Sequence, residues 1–361
     1  MAVAGAALIM LAVVLERALP GPPARPSRVE SARAASVRFL DRYMDADGRV
    51  VRRDQGGDTV SEGQAYGLLL TAAIGDRVRF ERAWSWTRTH LQREDGLLAW
   101  RWDHGHVAGW NAASDADVDA AHALVVAARR FGRADYAEQG AHIARAVLAN
   151  ETVDLAGERL VVAGPWARST PYVVNPSYFA PTAFAALATA TGDGRWTTLR
   201  RSSYELVRRL TTDPPALPPD WAEVDAAGQV RPIGSPSDRE GRPSYGFDAA
   251  RLPARLATDC AGSGRELVRT VGRLVPGQGD RVVAVYDLHA RQVVNYEHPL
   301  GYVAAAAVAA AEGDRRSGDR LLARAEQIDR VHPTYYGAAW VALGRVTLTT
   351  SLLDGCGAGG A

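Results

Sequence analysis

Lysine is absent from this chain, so all 42 of its basic side chains are arginines. With its many alanines, that is the residue usage of a high-GC bacterial genome. Cysteine is nearly absent as well. Cys260 and Cys356 are too few for a disulfide scaffold, and neither has the CxxC or Cys/His spacing of a zinc site. Sequence alone leaves open whether the two pair. The chain also lacks an excess of either charge: its net charge is +1, which points away from nucleic acid or any other polyanion as a partner. No apolar run reaches the roughly 20 residues of a membrane span. There is no P-loop, no Gly-x-Gly-x-x-Gly opening a helix after a strand, no His-Glu-x-x-His and no Gly-x-Ser-x-Gly, so no cofactor or metal is expected.

What is present begins with an apolar run over residues 2–15, followed by Glu16, Arg17 and a proline-rich stretch from Pro20 to Pro26. The run fits a signal-peptide core without the usual basic residues before it, or a marginal anchor, and predicts a secreted or envelope-associated protein. Residues 1–27 then form the leader and tether, 28–354 one folded domain, and 355–361 a glycine-rich tail. At 361 residues the chain has room for two average domains, yet large barrels of this size are common as one.

Apolar residues recurring at three and four predict helices over 28–44, 61–74, 78–92, 115–131, 134–149 and 176–191. Six more follow over 195–210, 245–258, 262–274, 298–312, 314–328 and 334–351. Long connections follow the odd-numbered helices (45–60, 94–114, 150–175, 211–244, 275–297), and short glycine turns follow most even ones. Twelve helices paired in this way describe an all-α (α/α)6 barrel, with the long loops forming a cleft on one face.

The even helices all begin at that face, and their first turns carry reactive groups. Ser61 and Gln64 have capping-box spacing, which makes Ser61 the expected N-cap and Glu62 the first helical residue beside Tyr66. An acidic residue there ordinarily serves the helix dipole. Ser114 and Asp117 have the same spacing, which assigns Asp117 a structural part and leaves Asp115 without one. The cluster Asp115, Asp117 and Asp119 lacks the glycine and terminal glutamate of a calcium loop. Asn175 caps Pro176 ahead of Tyr178. Asp248 and Arg251 share a helix face, an arrangement that keeps a carboxylate ionised; Pro253 is awkward inside that helix. Of nine tryptophans, Trp84, Trp196 and Trp340 read as core, whereas Trp100, Trp102, Trp110, Trp166 and Trp221 lie in long loops where an indole stacks on a sugar ring or packs the loop. His104 and His106 flank a glycine and read as turn residues.

Four segments carry a family resemblance: Thr59-Val60-Ser61-Glu62-Gly63-Gln64-Ala65-Tyr66-Gly67, Ala113-Ser114-Asp115-Ala116-Asp117, Asn175-Pro176-Ser177-Tyr178 and Phe247-Asp248-Ala249-Ala250-Arg251. In that order they resemble glycoside hydrolase family 8, notably the bacterial endoglucanases that accompany cellulose synthesis. Ala120 and Leu68 depart from the family pattern only in packing. The resemblance implies an (α/α)6 barrel and an inverting, endo-acting cleavage of β-1,4-glucan. It also implies Glu62 as general acid, Asp248 as general base, Asp115 as a sugar ligand at the cleavage point, and Arg251 and Tyr178 assisting. Tyr66, Asn175, Trp100, Trp102 and Trp110 complete the expected substrate contacts. The implied partners are a β-glucan and the cellulose-synthesis machinery, with the enzyme a monomer. Xylan and chitosan are rival substrates on the same fold. A non-catalytic glycan-binding role is the rival from another class. An inverting pair needs one protonated and one ionised carboxyl roughly 6.5–9.5 Å apart, and a helix N-terminus works against a proton on Glu62.

Overall fold

The computed structural model describes residues 26–274 and 281–356; the expected leader and most of the glycine-rich tail lie outside the described residues. Within them are twelve α-helices: α1 (Arg28–Tyr43), α2 (Ser61–Ile74), α3 (Arg77–His90), α4 (Ser114–Phe131), α5 (Ala134–Asn150), α6 (Pro181–Thr191), α7 (Arg195–Thr211), α8 (Leu252–Ala257), α9 (Ser263–Leu274), α10 (Pro299–Glu312), α11 (Arg315–Val331) and α12 (Tyr335–Thr349).

The even helices close an inner ring in which α2 packs on α4, α4 on α6, α6 on α8, α8 on α10, α10 on α12 and α12 back on α2. The odd helices pack outside it. Composition explains which goes where. Helix α2 is apolar around its whole circumference, and every residue in it except Glu62 is buried. Such a helix is stable only when surrounded by others. Burial of Leu68, Leu70 and Ile74 contributes about 1.5–3 kcal/mol each. Helix α11, by contrast, buries a single stripe of Gly318, Leu322, Ala325 and Ile328 and turns its arginines outward. Gly75 and Gly132 end α2 and α4 in the left-handed conformation that the tight return turns require. The result is an (α/α)6 barrel.

The long connections gather at the other end, where short antiparallel strands stitch them together. Strand β1 (Thr59–Val60) pairs with the hairpin of β2 (Arg101–Asp103) and β3 (His106–Gly109), which His104 and Gly105 close with positive φ. β4 (Thr152–Leu155) and β5 (Glu158–Val161) form a hairpin; β6 (Tyr172–Val174) pairs with β7 (Trp221–Val224), and β7 with β8 (Val230–Ile233). β9 (Ser244–Tyr245) pairs with β10 (Tyr286–Asp287).

Two helices are shorter than their periodicity predicts. The sixth was expected from residue 176, but Asn175 caps a 3-10 turn at Pro176–Tyr178 and α6 starts only at Pro181. A proline lacks the N–H for a helix interior and pushes the residue before it out of the α region. The eighth was expected over 245–258. Residues 244–245 are strand, Ala249–Arg251 a 3-10 turn, and α8 begins at Leu252. Pro253 therefore sits in a first turn, where its missing N–H costs nothing. Cys260 and Cys356 are bonded, with Cα atoms 5.2 Å apart, and pin the chain after α12 to the end of α8.

Candidate active site

Neither expected capping box forms. The N-cap of α2 is Val60, without a side-chain cap, and Ser61 is already helical. Gln64 turns away, accepting from Val50 N–H and donating to Thr87 Oγ1 at 2.8 Å. The start of α2 is held instead by Ser61 N–H donating to the Trp100 carbonyl at 2.9 Å, which ties Glu62 to the β2 loop. At α4 the N-cap is Ala113. Ser114 Oγ donates to the Val162 carbonyl at 2.6 Å, and Asp117 accepts from Leu98 N–H at 2.8 Å, so Asp117 is structural through loop anchoring and not through a box. In both cases tertiary partners outcompete the local ones.

The four motifs meet on one side chain, Arg251, which is fully buried. Its Nη1 donates to Glu62 Oε2 at 2.8 Å, to Asp115 Oδ2 at 2.9 Å and to the Tyr66 hydroxyl at 3.3 Å; its Nη2 donates to Asp248 Oδ1 at 2.6 Å. The Tyr178 ring lies 5.4 Å from the guanidinium carbon. Tyr66 is completely buried, edge-on to Trp340. Asn175 is buried too, its Oδ1 taken up by Ser177 N–H and Oγ, while its Nδ2 has no hydrogen-bond partner among the described residues. One turn deeper, Arg255 holds Asp119 by two hydrogen bonds of 2.8 and 2.7 Å, a second layer beneath the first. Glu62 and Asp248 are thus bridged by a single guanidinium. The bridge keeps the two bonded oxygens, Glu62 Oε2 and Asp248 Oδ1, within one guanidinium and two hydrogen bonds of each other.

Three carboxyls around one guanidinium cannot all ionise cheaply. Burial pushes Glu62 up to about 7; Arg251 pulls it down, and Asp115 and Asp248 push it further up. Burial likewise raises Asp115, opposed by Arg251 and Arg255. Asp248 is raised by burial, lowered by Arg251, raised by Asp220, and lowered by the nearby side-chain N–H groups of Asn175 and Trp221. Asp115 is closed off from solvent, whereas Glu62, with 24% of its side chain exposed and no protein hydrogen bond to Oε1 among the described residues, can keep a proton and present it outward; Asp248 is open to a similar degree. Desolvation and two carboxylate neighbours act against the helix dipole at this position.

The tryptophans separate. Trp110 is 67% exposed, Trp100 40%, and Trp166 is also at the surface. The Trp100 and Trp166 indoles lie against Gly109 and Gly164, where a Cβ would collide with them. Trp102 is not free in this way: it packs edge-on against Trp86 and His90. Trp221 is edge-on to Tyr178. Tyr336 joins the rim, its hydroxyl donating to the Phe247 carbonyl at 2.9 Å. Asp220, in the loop before β7, sits behind Asp248 and carries no motif. Its partners are backbone N–H groups 26 to 29 residues away, which no spacing rule signals. Among the described residues no three His, Cys, Asp or Glu side chains group as metal ligands.

Comparison with known proteins bears on the family and the fold. The family model described as glycosyl hydrolases family 8 matches residues 30–252. A probable endoglucanase of Novacetimonas hansenii is 33% identical over 221 residues, which cover 60% of this chain and 64% of that protein. An endoglucanase of Cellulomonas uda is 31% identical over 232 residues, 63% of each. The chain therefore matches a little under two thirds of these relatives' length. Among solved structures, an endo-β-1,4-glucanase of Acetobacter xylinum superposes with a TM-score of 0.74 at 27% identity, covering 88% of this chain and 98% of that one.

Proposed function

The chain belongs to glycosyl hydrolase family 8, and from that premise we propose that it is an inverting endo-β-1,4-glucanase with Glu62 as general acid and Asp248 as general base. The observation that carries the reading is the convergence of Glu62, Asp115 and Asp248 on the buried Arg251. In the reaction, protonated Glu62 gives its proton to the glycosidic oxygen. Asp248, ionised beside Arg251, takes a proton from the water that attacks the opposite face of the sugar. Asp115 holds the sugar at the cleavage point, and its charge helps retain the proton on Glu62. Trp100 and Trp110 offer indole faces to the neighbouring sugars. The relatives and the solved neighbour carrying the name endoglucanase support β-1,4-glucan over xylan or chitosan.

The proposal includes export, supported by the apolar run over residues 2–15 and by the Cys260–Cys356 bond, which suits an oxidising compartment. It includes work beside cellulose-synthesis machinery, supported by the motif resemblance. It includes action as a monomer, supported by one chain contributing every group of the site. The test is a panel of carboxymethylcellulose, barley β-glucan, xylan and chitosan. A fall in viscosity of the two glucans, absent in Glu62→Gln and Asp248→Asn, is the expected result. Cleavage confined to xylan or chitosan moves the substrate, and binding without cleavage replaces the enzyme by a glycan-binding protein.

A further inference from the structure

We propose that Asp220 is the positioning residue of the Asp248 carboxylate, holding the backbone on which Asp248 is mounted and placing a second negative charge behind it. The inference rests on the reading of Asp248 as the base. Asp220 Oδ1 accepts three backbone hydrogen bonds, from Gly246 at 3.0 Å, Asp248 at 3.0 Å and Ala249 at 2.7 Å. Its Oδ2 accepts from Ser244 Oγ at 2.8 Å, and its own N–H donates to the Ser244 carbonyl at 2.7 Å. Five hydrogen bonds from one residue thus bind the segment 244–249, where the chain leaves β9 and enters the 3-10 turn of Arg251. The approach is close enough that a Cβ on Gly246 would lie 2.6 Å from Asp220 Oδ2, so a side chain at 246 would displace the Asp220 carboxylate from these donors. Without Asp220, three N–H groups at the start of a turn lose their acceptor, and the turn loses its reason for this shape.

The charge has its own effect. Arg251 is engaged by Glu62, Asp115 and Asp248, and makes no bond to Asp220. The titratable and charged groups that face Asp248 are Arg251 on its own turn, Asp220 behind it, Glu62 on α2, Asp115 on α4, Tyr178 on the 3-10 turn before α6 and Tyr336 on α12. Burial raises Asp220 above the ordinary carboxylate value, and its four donors, from Ala249, Ser244, Gly246 and Asp248, draw it back toward the ionised form. In its ionised form the Asp220 carboxylate opposes ionisation of Asp248, which makes Asp248 a stronger base than its pairing with Arg251 alone would allow.

Two variants and a control decide the matter, read as kcat and KM against pH on a soluble cello-oligosaccharide. Asp220→Asn keeps Oδ1 for the three N–H groups and sets Nδ2 against Ser244, whose hydroxyl can accept. It should fold, shift the acid limb of kcat/KM to lower pH, and lower kcat several-fold as the base weakens. Asp220→Ala removes both effects and should lower kcat about 10²-fold through misplacement of the base, with KM little changed. An unmoved acid limb in Asp220→Asn overturns the proposal, as does a wild-type kcat in Asp220→Ala. If Asp220→Ala does not fold, the acid limb of Asp220→Asn decides alone. Asp248→Asn separates the two readings. Loss of its activity with an unmoved acid limb in Asp220→Asn overturns the role of Asp220 only, whereas a turnover near wild type in Asp248→Asn overturns both.

Discussion

Replacing Glu62 by Gln removes the proton while keeping an oxygen for Arg251 Nη1, which now donates to Glu62 Oε2. Loss of a general acid costs about 10²–10⁴ in rate, and the loss depends on how badly the leaving group needs a proton. Cello-oligosaccharide, whose leaving group is an alkoxide, should lose that full factor in kcat/KM. A dinitrophenyl β-cellobioside, whose leaving group departs unprotonated, should lose far less. The same residue makes a prediction about stability. Glu62 ionises at an ordinary 4.5 when unfolded and at about 7 when folded, so the folded state binds more protons between those values. Stability held below pH 4.5 is therefore lost as pH rises to about 7, by an amount on the order of 3 kcal/mol at 1.36 kcal/mol per pH unit. Glu62→Gln abolishes that loss. Its denaturation midpoint should match wild type at pH 4 and exceed it at pH 8, and the alkaline limb of wild-type kcat/KM should fall near pH 7. An equal loss of rate on both substrates would refute the role of Glu62 as acid; wild-type pH dependence of stability in the variant would refute its retained proton.

Further outcomes follow from the same contacts. Arg251→Met leaves Glu62, Asp115 and Asp248 without their shared cation, and should cost about 3–5 kcal/mol in urea unfolding together with all measurable turnover. Cys260→Ser opens a loop with a sequence separation of 96, for which chain entropy alone predicts a loss approaching about 4.7 kcal/mol; thermal melts of the variant and of reduced wild type should agree. Trp110→Ala should raise KM for long glucans and leave kcat unchanged, whereas Trp102→Ala, which removes part of a packed cluster with Trp86 and His90, should lower the melting temperature instead.

The barrel was legible because its two rings have different compositions. A helix such as α10, apolar on all sides, and one such as α11, with a single apolar stripe, cannot exchange places, and the glycine turns after even helices fix which ends are short. Helix boundaries were legible except where proline intervened: Pro181 delays α6, and Pro253 marks the first turn of α8 where periodicity placed an interior. Local rules failed at the two capping boxes, because Gln64 and Ser114 have better partners in Val50, Thr87 and Val162, far away in sequence. The shared use of Arg251 was hidden for a related reason. Spacing linked it to Asp248 three residues earlier, but not to Glu62 and Asp115, 189 and 136 residues away. Asp220 was invisible, since its work is done on backbone N–H groups that no side-chain pattern records.

The most direct test of the proposed pair of carboxyls is the anomer first formed when a β-1,4-linked cello-oligosaccharide is cleaved, followed by proton NMR before mutarotation. With Asp248 activating a water opposite Glu62, the new reducing end should appear as the α-anomer and drift toward equilibrium. A β-anomer appearing first would mean that the configuration is retained, and would contradict the roles given to both residues.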